Sequence, residues 1–247
     1  MRRRSHARGV PVRRPPVHRL VRLYAGLALY GASDALLVRA SLGLDPWDVF
    51  HQGLSRLTGI SIGLVSIVVG AAVLLLWWPL RQRPGLGTVS NVVLVGLSLD
   101  ATLALVPYHA ALAVRVPLVV GGVLLNGAAT GLYISARFGP GPRDGLMTGL
   151  HRRTGRSLRL IRTGIELTVL AAGFVLGGGV GVGTVLYAVS IGPLAQFFLR
   201  LFDTPPARSQ AGLPASSAAG SGPIMAGTDG SAGIRREAPE HRVVDTI

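Results

Sequence analysis

The sequence predicts an all-α membrane protein: six transmembrane helices in two inverted three-helix repeats, each with an extra short interfacial or re-entrant helix. Three observations lead there. Residues 26–105 recur 96 positions later as residues 122–201 without a gap, with 27 identities over 80 positions. Duplication on that scale sets the architecture before any element is assigned. The chain is 49% hydrophobic and 15% charged with mean hydropathy +0.48, well short of the quarter or so of charged residues usual in soluble domains. Its arginines sit at the ends of apolar segments.

A bilayer crossing needs about 20 mainly apolar residues, because the hydrocarbon core is roughly 30 Å thick and a helix rises about 1.5 Å per residue. Six stretches qualify: 20–42, 61–80, 87–107, 114–137, 160–177 and 182–202. The fifth carries Arg162 and Glu166. The first is too long, and too well matched to the fourth, for a cleaved signal peptide. The expected organisation is a basic cytoplasmic tail (1–19), a first membrane repeat (20–107), a second (114–202) and a Pro/Gly/Ser/Ala-rich cytoplasmic tail (203–247). Both tails lack the apolar content needed to offset ordering entropy and are expected to be disordered.

The positive-inside rule sets orientation. With the N-terminus in the cytoplasm, that side collects the N-terminal arginines, Arg81, Arg83 and the run from Arg137 to Arg159, leaving Arg39, Arg56 and Arg115 outside. Trp77 and Trp78 then fall at the cytoplasmic interface, where indoles favour headgroups. Three crossings per repeat is an odd number, so the second copy is inverted, a build that recurs in secondary transporters. The expected location is the bacterial plasma membrane, multi-pass, with both termini cytoplasmic.

Between the first two spans of each repeat lie 45–58 and 141–154. Each opens on a paired motif, Asp45-Pro46-Trp47-Asp48 and Gly141-Pro142-Arg143-Asp144. Proline suits the first helical position, and the aspartate two residues on sits in the first turn, near free N–H groups. Each motif therefore starts a helix of about 12 residues ending at Thr-Gly, too short to cross. Gly85-Leu86-Gly87-Thr88 and Gly181-Val182-Gly183-Thr184 read as tight turns with threonine placed to N-cap the last span.

These stretches (LGLDPWDVFHQGLSRLTGIS, PLRQRPGLGT and GLYISARFGPGPRDGLMTGLHRRTG) resemble the YczE-like family of bacterial integral membrane proteins, related to the YitT-type group. The resemblance spans roughly residues 20–202. It implies a polytopic plasma-membrane protein and supplies no catalytic residues.

Ionisable groups at bilayer depth are costly and mark candidate sites. Asp34, Asp48, Asp100, Asp144 and Glu166 form the candidate polar set, with Arg39 and Arg162 as candidate counter-charges. Arg162 and Glu166 are four apart and share a helix face. Asn91, Asn126 and Gln196 add neutral hydrogen-bonding groups, while Gly127 and Gly131 are spaced for close helix packing. Asp34 and Asp100 can equally serve as hydrogen bonds between helices. No catalytic residue, cofactor or metal site is expected. Cysteine is absent, the six histidines lack H-x-x-x-H spacing, and no serine lies in G-x-S-x-G. The +14 charge is read as topology determinants, so nucleic acid is not an expected partner. The expected partners are the lipid bilayer and a small solute or ion. Two functions fit: a small-solute transporter or membrane-embedded binding protein, or an accessory or scaffold protein that supports a membrane partner.

Overall fold

In the computed structural model, residues 17–108 and 111–202 are described. They form eight α-helices and, among the described residues, no strand: α1 Val17–Ala40, α2 Pro46–Thr58, α3 Ile62–Trp77, α4 Leu86–Leu105, α5 Leu112–Ser135, α6 Pro142–Thr154, α7 Leu158–Val175 and α8 Val182–Phe202. The tail readings for residues 1–16 and 203–247 lie outside the described residues. Residues 17–19, counted above with the tail, begin α1.

The conserved spacing between the halves falls on the helix junctions. Pro46 and Pro142 open α2 and α6 at the first turn, and Gly59 and Gly155 close them in the left-handed region at φ 73° and 67°. Ser61 and Ser157 then N-cap α3 and α7, each accepting from the amide three residues on. The glycine-threonine turns behave differently from expectation. Gly85 takes the N-cap position, and Thr88 sits inside the helix, its hydroxyl accepting from the Gly85 amide at 3.2 Å and donating to the Pro140 carbonyl at 2.8 Å. Thr184 likewise accepts from the Gly181 amide. Gly85 already adopts the extended N-cap backbone, which leaves Thr88 free to reach back.

Four helices are long and apolar enough to cross a membrane: α1, α4, α5 and α8. The α2–α3 pair, bent by 114°, qualifies only if counted as one broken span, which makes five. The stretches 61–80 and 160–177 do not qualify alone. The first ends as helix at Trp77, giving α3 only 16 residues, and α7 carries Arg159, Arg162 and Glu166.

The halves meet chiefly along α1 and α5; α4 and α8 flank them on either side. The short helices cross over: α2 packs on α7 of the other half, and α6 on α3. The contacts are reciprocal. The Gly87 amide donates to the Phe138 carbonyl at 3.0 Å, and the equivalent Gly183 amide donates to Leu42 at 2.8 Å. Arg19 donates to the Ala136 carbonyl at 2.8 Å, and Arg115 to Ala40 at 2.6 Å. Gly145 lies against the Trp77 ring, and Gly173, equivalent to Trp77, lies against Val49, equivalent to Gly145. The contacts thus repeat with partners exchanged between the halves. The buried cores repeat in the same way. Leu23, Leu27, Tyr133 and Ala136 form one cluster, and their counterparts Val119, Val123, Leu37 and Ala40 belong to another.

Trp77 is not a free interfacial anchor. It is buried, and its indole N–H donates to the Pro142 carbonyl at 3.1 Å, while Trp78 is 88% exposed. The α6 glycine at 145 leaves room for its ring, and this contact draws Trp77 inward. Gly127 and Gly131 bring α5 onto Leu194 and Phe198 of α8 as their spacing implied.

Candidate functional site

The loop after α1 turns sharply through Ser41 and Gly43, both with positive φ, and returns the chain into the bundle. Asp45 then starts α2 beside Asp34 of α1. Its Oδ1 accepts from the amides of Trp47 at 2.7 Å and Asp48 at 2.9 Å, satisfying the first free donors of the helix. Asp48, in that first turn, accepts at Oδ1 from or shares a proton with His51 Nδ1 at 3.1 Å. One carboxylate oxygen from each of Asp34, Asp45 and Asp48 lies within 4.8 Å of the others, and all three side chains are buried.

The surroundings are polar on one side and charged on the other. Asn126 of α5 donates to Asp34 Oδ1 and to Ser33 Oγ, each at 2.9 Å. Its own carbonyl accepts from the Tyr187 hydroxyl of α8 at 3.1 Å. From the other half, the Arg143 guanidinium stands 3.7 Å from Asp45 Oδ1 and 5.0 Å over the Trp47 ring. Partners run out there. Oδ2 of Asp34, Asp45 and Asp48 and the Trp47 indole nitrogen are all buried without a hydrogen bond. A buried polar atom left unmade costs on the order of 1–3 kcal/mol, more when charged. Each carboxylate of the cluster thus keeps one buried oxygen that no group of the described chain satisfies.

Of the residues singled out in the sequence, Asp34, Asp48 and Asn126 come together here, and the other charged ones do not. Asp144 takes a separate bond, accepting from the Tyr133 hydroxyl at 3.3 Å. Asp100 is fully engaged at the start of α3, where Ser61 donates to Oδ2 at 2.6 Å and the Gly63 amide to Oδ1 at 2.8 Å. Arg39 does not face Asp34; it donates to the Leu103 carbonyl at the end of α4. Arg162 and Glu166 pair along α7 at 3.0 Å, with Arg162 largely exposed. Sequence reasoning missed Asp45 and Arg143, since the first reads as the residue before a helix-starting proline and the second as one of many topology-setting arginines. The doubled acidic motif Asp45-Pro46-Trp47-Asp48 was the available signal.

The described chain matches the model of a family of unknown function, DUF6198, over residues 17–200. It belongs to that family. Relatives include an "Uncharacterized protein" of Haemophilus influenzae, 42% identical over 72% of this chain and 82% of its own length. The "Uncharacterized membrane protein YczE" of Bacillus subtilis is 34% identical over 71% of this chain and 83% of its own. The "Uncharacterized protein YyaS" of the same organism is 24% identical over 72% and 90%. No solved structure matches. The DUF6198 chain is thus a YczE-like multi-pass membrane protein, in keeping with its apolar helices.

Proposed function

We propose that this DUF6198 protein is a small-solute transporter or membrane-embedded binding protein of the bacterial plasma membrane, with its ligand held where the two halves meet. The observation that carries the reading is the trio of unpaired, buried carboxylate oxygens on Asp34, Asp45 and Asp48. A chain that served only as a membrane scaffold gains nothing from them, because apolar residues of similar volume are commonly as stable or more so. Polar sites at the junction of repeats, shaped by short helices that start inside the bundle, are the recurring build of secondary transporters. The protein is proposed as non-enzymatic, with the lipid bilayer and a small solute or ion as partners and no role for nucleic acid.

The proposed arrangement is six crossings in two inverted repeats, both termini cytoplasmic, with α3 and α7 as short crossings. The reciprocal contacts support it, as does the sorting of arginines. Arg19, Arg22 and Arg153 bind carbonyls at one end of the bundle, those of Ala136, Phe202 and Pro79. Arg39, Arg56 and Arg115 bind carbonyls at the other, those of Leu103, Gly177 and Ala40. Single cysteines in this Cys-free chain test the topology: Pro84→Cys should label from the cytoplasm and Tyr108→Cys from outside, and the reverse overturns it.

Function is tested by reconstituting the protein and its Asp34→Asn and Asp48→Asn variants in proteoliposomes against a panel of small solutes. The variants should insert and fold but lose the solute-dependent signal. If no solute gives a signal and both variants keep full cellular activity, the accessory reading replaces this one.

A further inference from the structure

We propose that Asp34, Asp45 and Asp48 form a binding site for a hard divalent cation, with Arg143 as a tethered counter-ion that competes for the same carboxylates. The inference rests on the reading of this chamber as a ligand site and names the chemical class of the ligand.

Donor chemistry comes first. The cluster offers carboxylate oxygens and no thiolate, and the imidazole nearest to it has Nδ1 already turned to Asp48. Oxygen-only sites suit hard cations such as Ca²⁺ and Mg²⁺ rather than zinc or copper. Placement is the second argument. One oxygen from each residue lies within 4.8 Å of the others, and a buried set of this kind suits Ca²⁺, whose shell tolerates irregular geometry, better than Mg²⁺, which demands a near-ideal octahedron and gives up its waters reluctantly. Each of the three residues is only 1% exposed and keeps one oxygen without a protein partner, so the carboxylates have coordination capacity to spare.

Charge is the third. Counted as formal charges with His51 neutral, three carboxylates against one guanidinium leave the cluster at minus two. The start of α2 adds little positive character, because Asp45 itself already accepts its first two amides. The start of α6 carries Arg143. A divalent ion balances what remains, and a monovalent one leaves a buried charge.

Arg143 is held in a manner that lets it yield. At 3.7 Å its contact with Asp45 is longer than the 2.7–2.9 Å or so of a charge-assisted hydrogen bond. Its guanidinium rests on the Trp47 face, and its side chain is 26% exposed, so solvent reaches it from the side away from Trp47's buried ring. Because Arg143 comes from one half and Asp45 from the other, exchange of arginine for cation alters the attraction between the two halves. In a transporter, that couples occupancy to their relative position.

The test is cation titration of the purified full-length protein in detergent, stripped with chelator, followed by thermal unfolding and calorimetry. CaCl₂, MgCl₂ and NaCl are compared at matched ionic strength. Wild type should show saturable stabilisation by Ca²⁺, weaker by Mg²⁺, and none by NaCl. Asp34→Asn and Asp48→Asn should each weaken Ca²⁺ binding by at least about tenfold, as metal-site changes commonly do. Arg143→Gln should tighten it by about tenfold, the effect of losing a charge coupling at the low end of those measured for close pairs, while Arg143→Lys stays near wild type. Circular dichroism and size exclusion identify any variant that misfolds, and the Arg143→Gln gain is a result no unfolded protein gives. A saturable response to NaCl alone, a response to pH without any to cations, or Ca²⁺ binding retained by both aspartate variants overturns the proposal. Ca²⁺ binding without flux of any solute defeats transport and leaves the cation site standing. Cation-independent solute flux does the opposite.

Discussion

Trp47 and Arg143 stand at equivalent positions of the two repeats, 96 residues apart, and touch each other: the guanidinium lies 5.0 Å from the Trp47 ring centroid. The acidic cluster is therefore built where the two halves meet, one supplying three carboxylates and the other a guanidinium. The two copies differ at several of these positions, with Asp34 facing Thr130 in the register, Asp45 facing Gly141 and Trp47 facing Arg143, so the acidic cluster has no duplicate in the other half.

That stacking should be measurable as a coupling. In a double-mutant cycle with Trp47→Leu and Arg143→Gln, the two changes should be non-additive by about 0.5–2 kcal/mol in thermal stability, the range of cation–π pairs from exposed to desolvated sites. Additivity within error would mean the two side chains are neighbours without interaction.

Asp34 is held at some cost to stability. Its Oδ2 is buried and unpaired, and Asp45 and Asp48 lie beside it. Asp34→Asn keeps shape and removes charge, so in chelator-stripped buffer it should raise stability by about 1 kcal/mol, as the relief of buried charge often does. A drop in the unfolding midpoint instead would show that the carboxylate charge is already compensated within the chain.

Asp100 should behave in the opposite sense. Both of its oxygens are engaged at the start of α3, so Asp100→Ala strands the Gly63 amide and the Ser61 hydroxyl and should cost about 1–2 kcal/mol. Cation or solute binding should be unchanged in the folded fraction. Loss of binding with normal stability would place Asp100 in the site after all.

The glycines separate by what surrounds them. A methyl group at Gly145 meets the Trp77 ring, and one at Gly173 meets the Val49–Phe50 backbone, so alanine at either should destabilise by about 1–3 kcal/mol. Gly164 and Gly192 have open space around them, and alanine there should stabilise by up to about 1 kcal/mol through helix propensity. Thermal unfolding of the four single variants in detergent checks the order.

The sequence by itself determined the helical membrane class, the duplication and the junctions. Hydropathy is summed along the chain, and the caps at Pro46, Gly59 and Ser61 with their counterparts are local chemistry between near neighbours. It also marked Asp34 and Asp48 as out of place in an apolar setting. Tertiary structure alone decided which charges meet. Asp100 and Arg39 are as conspicuous in sequence as Asp34, yet the contact of α4 with α1 and α3 brings them to backbone groups at helix ends. Asp45 reads as an ordinary cap until the turn through Gly43 brings it against Asp34, and Arg143 reads as a topology signal until the packing of the halves lays it across the other repeat. Local pattern carries no information about which residues separated by about a hundred positions become neighbours; only the packing of the two halves supplies it.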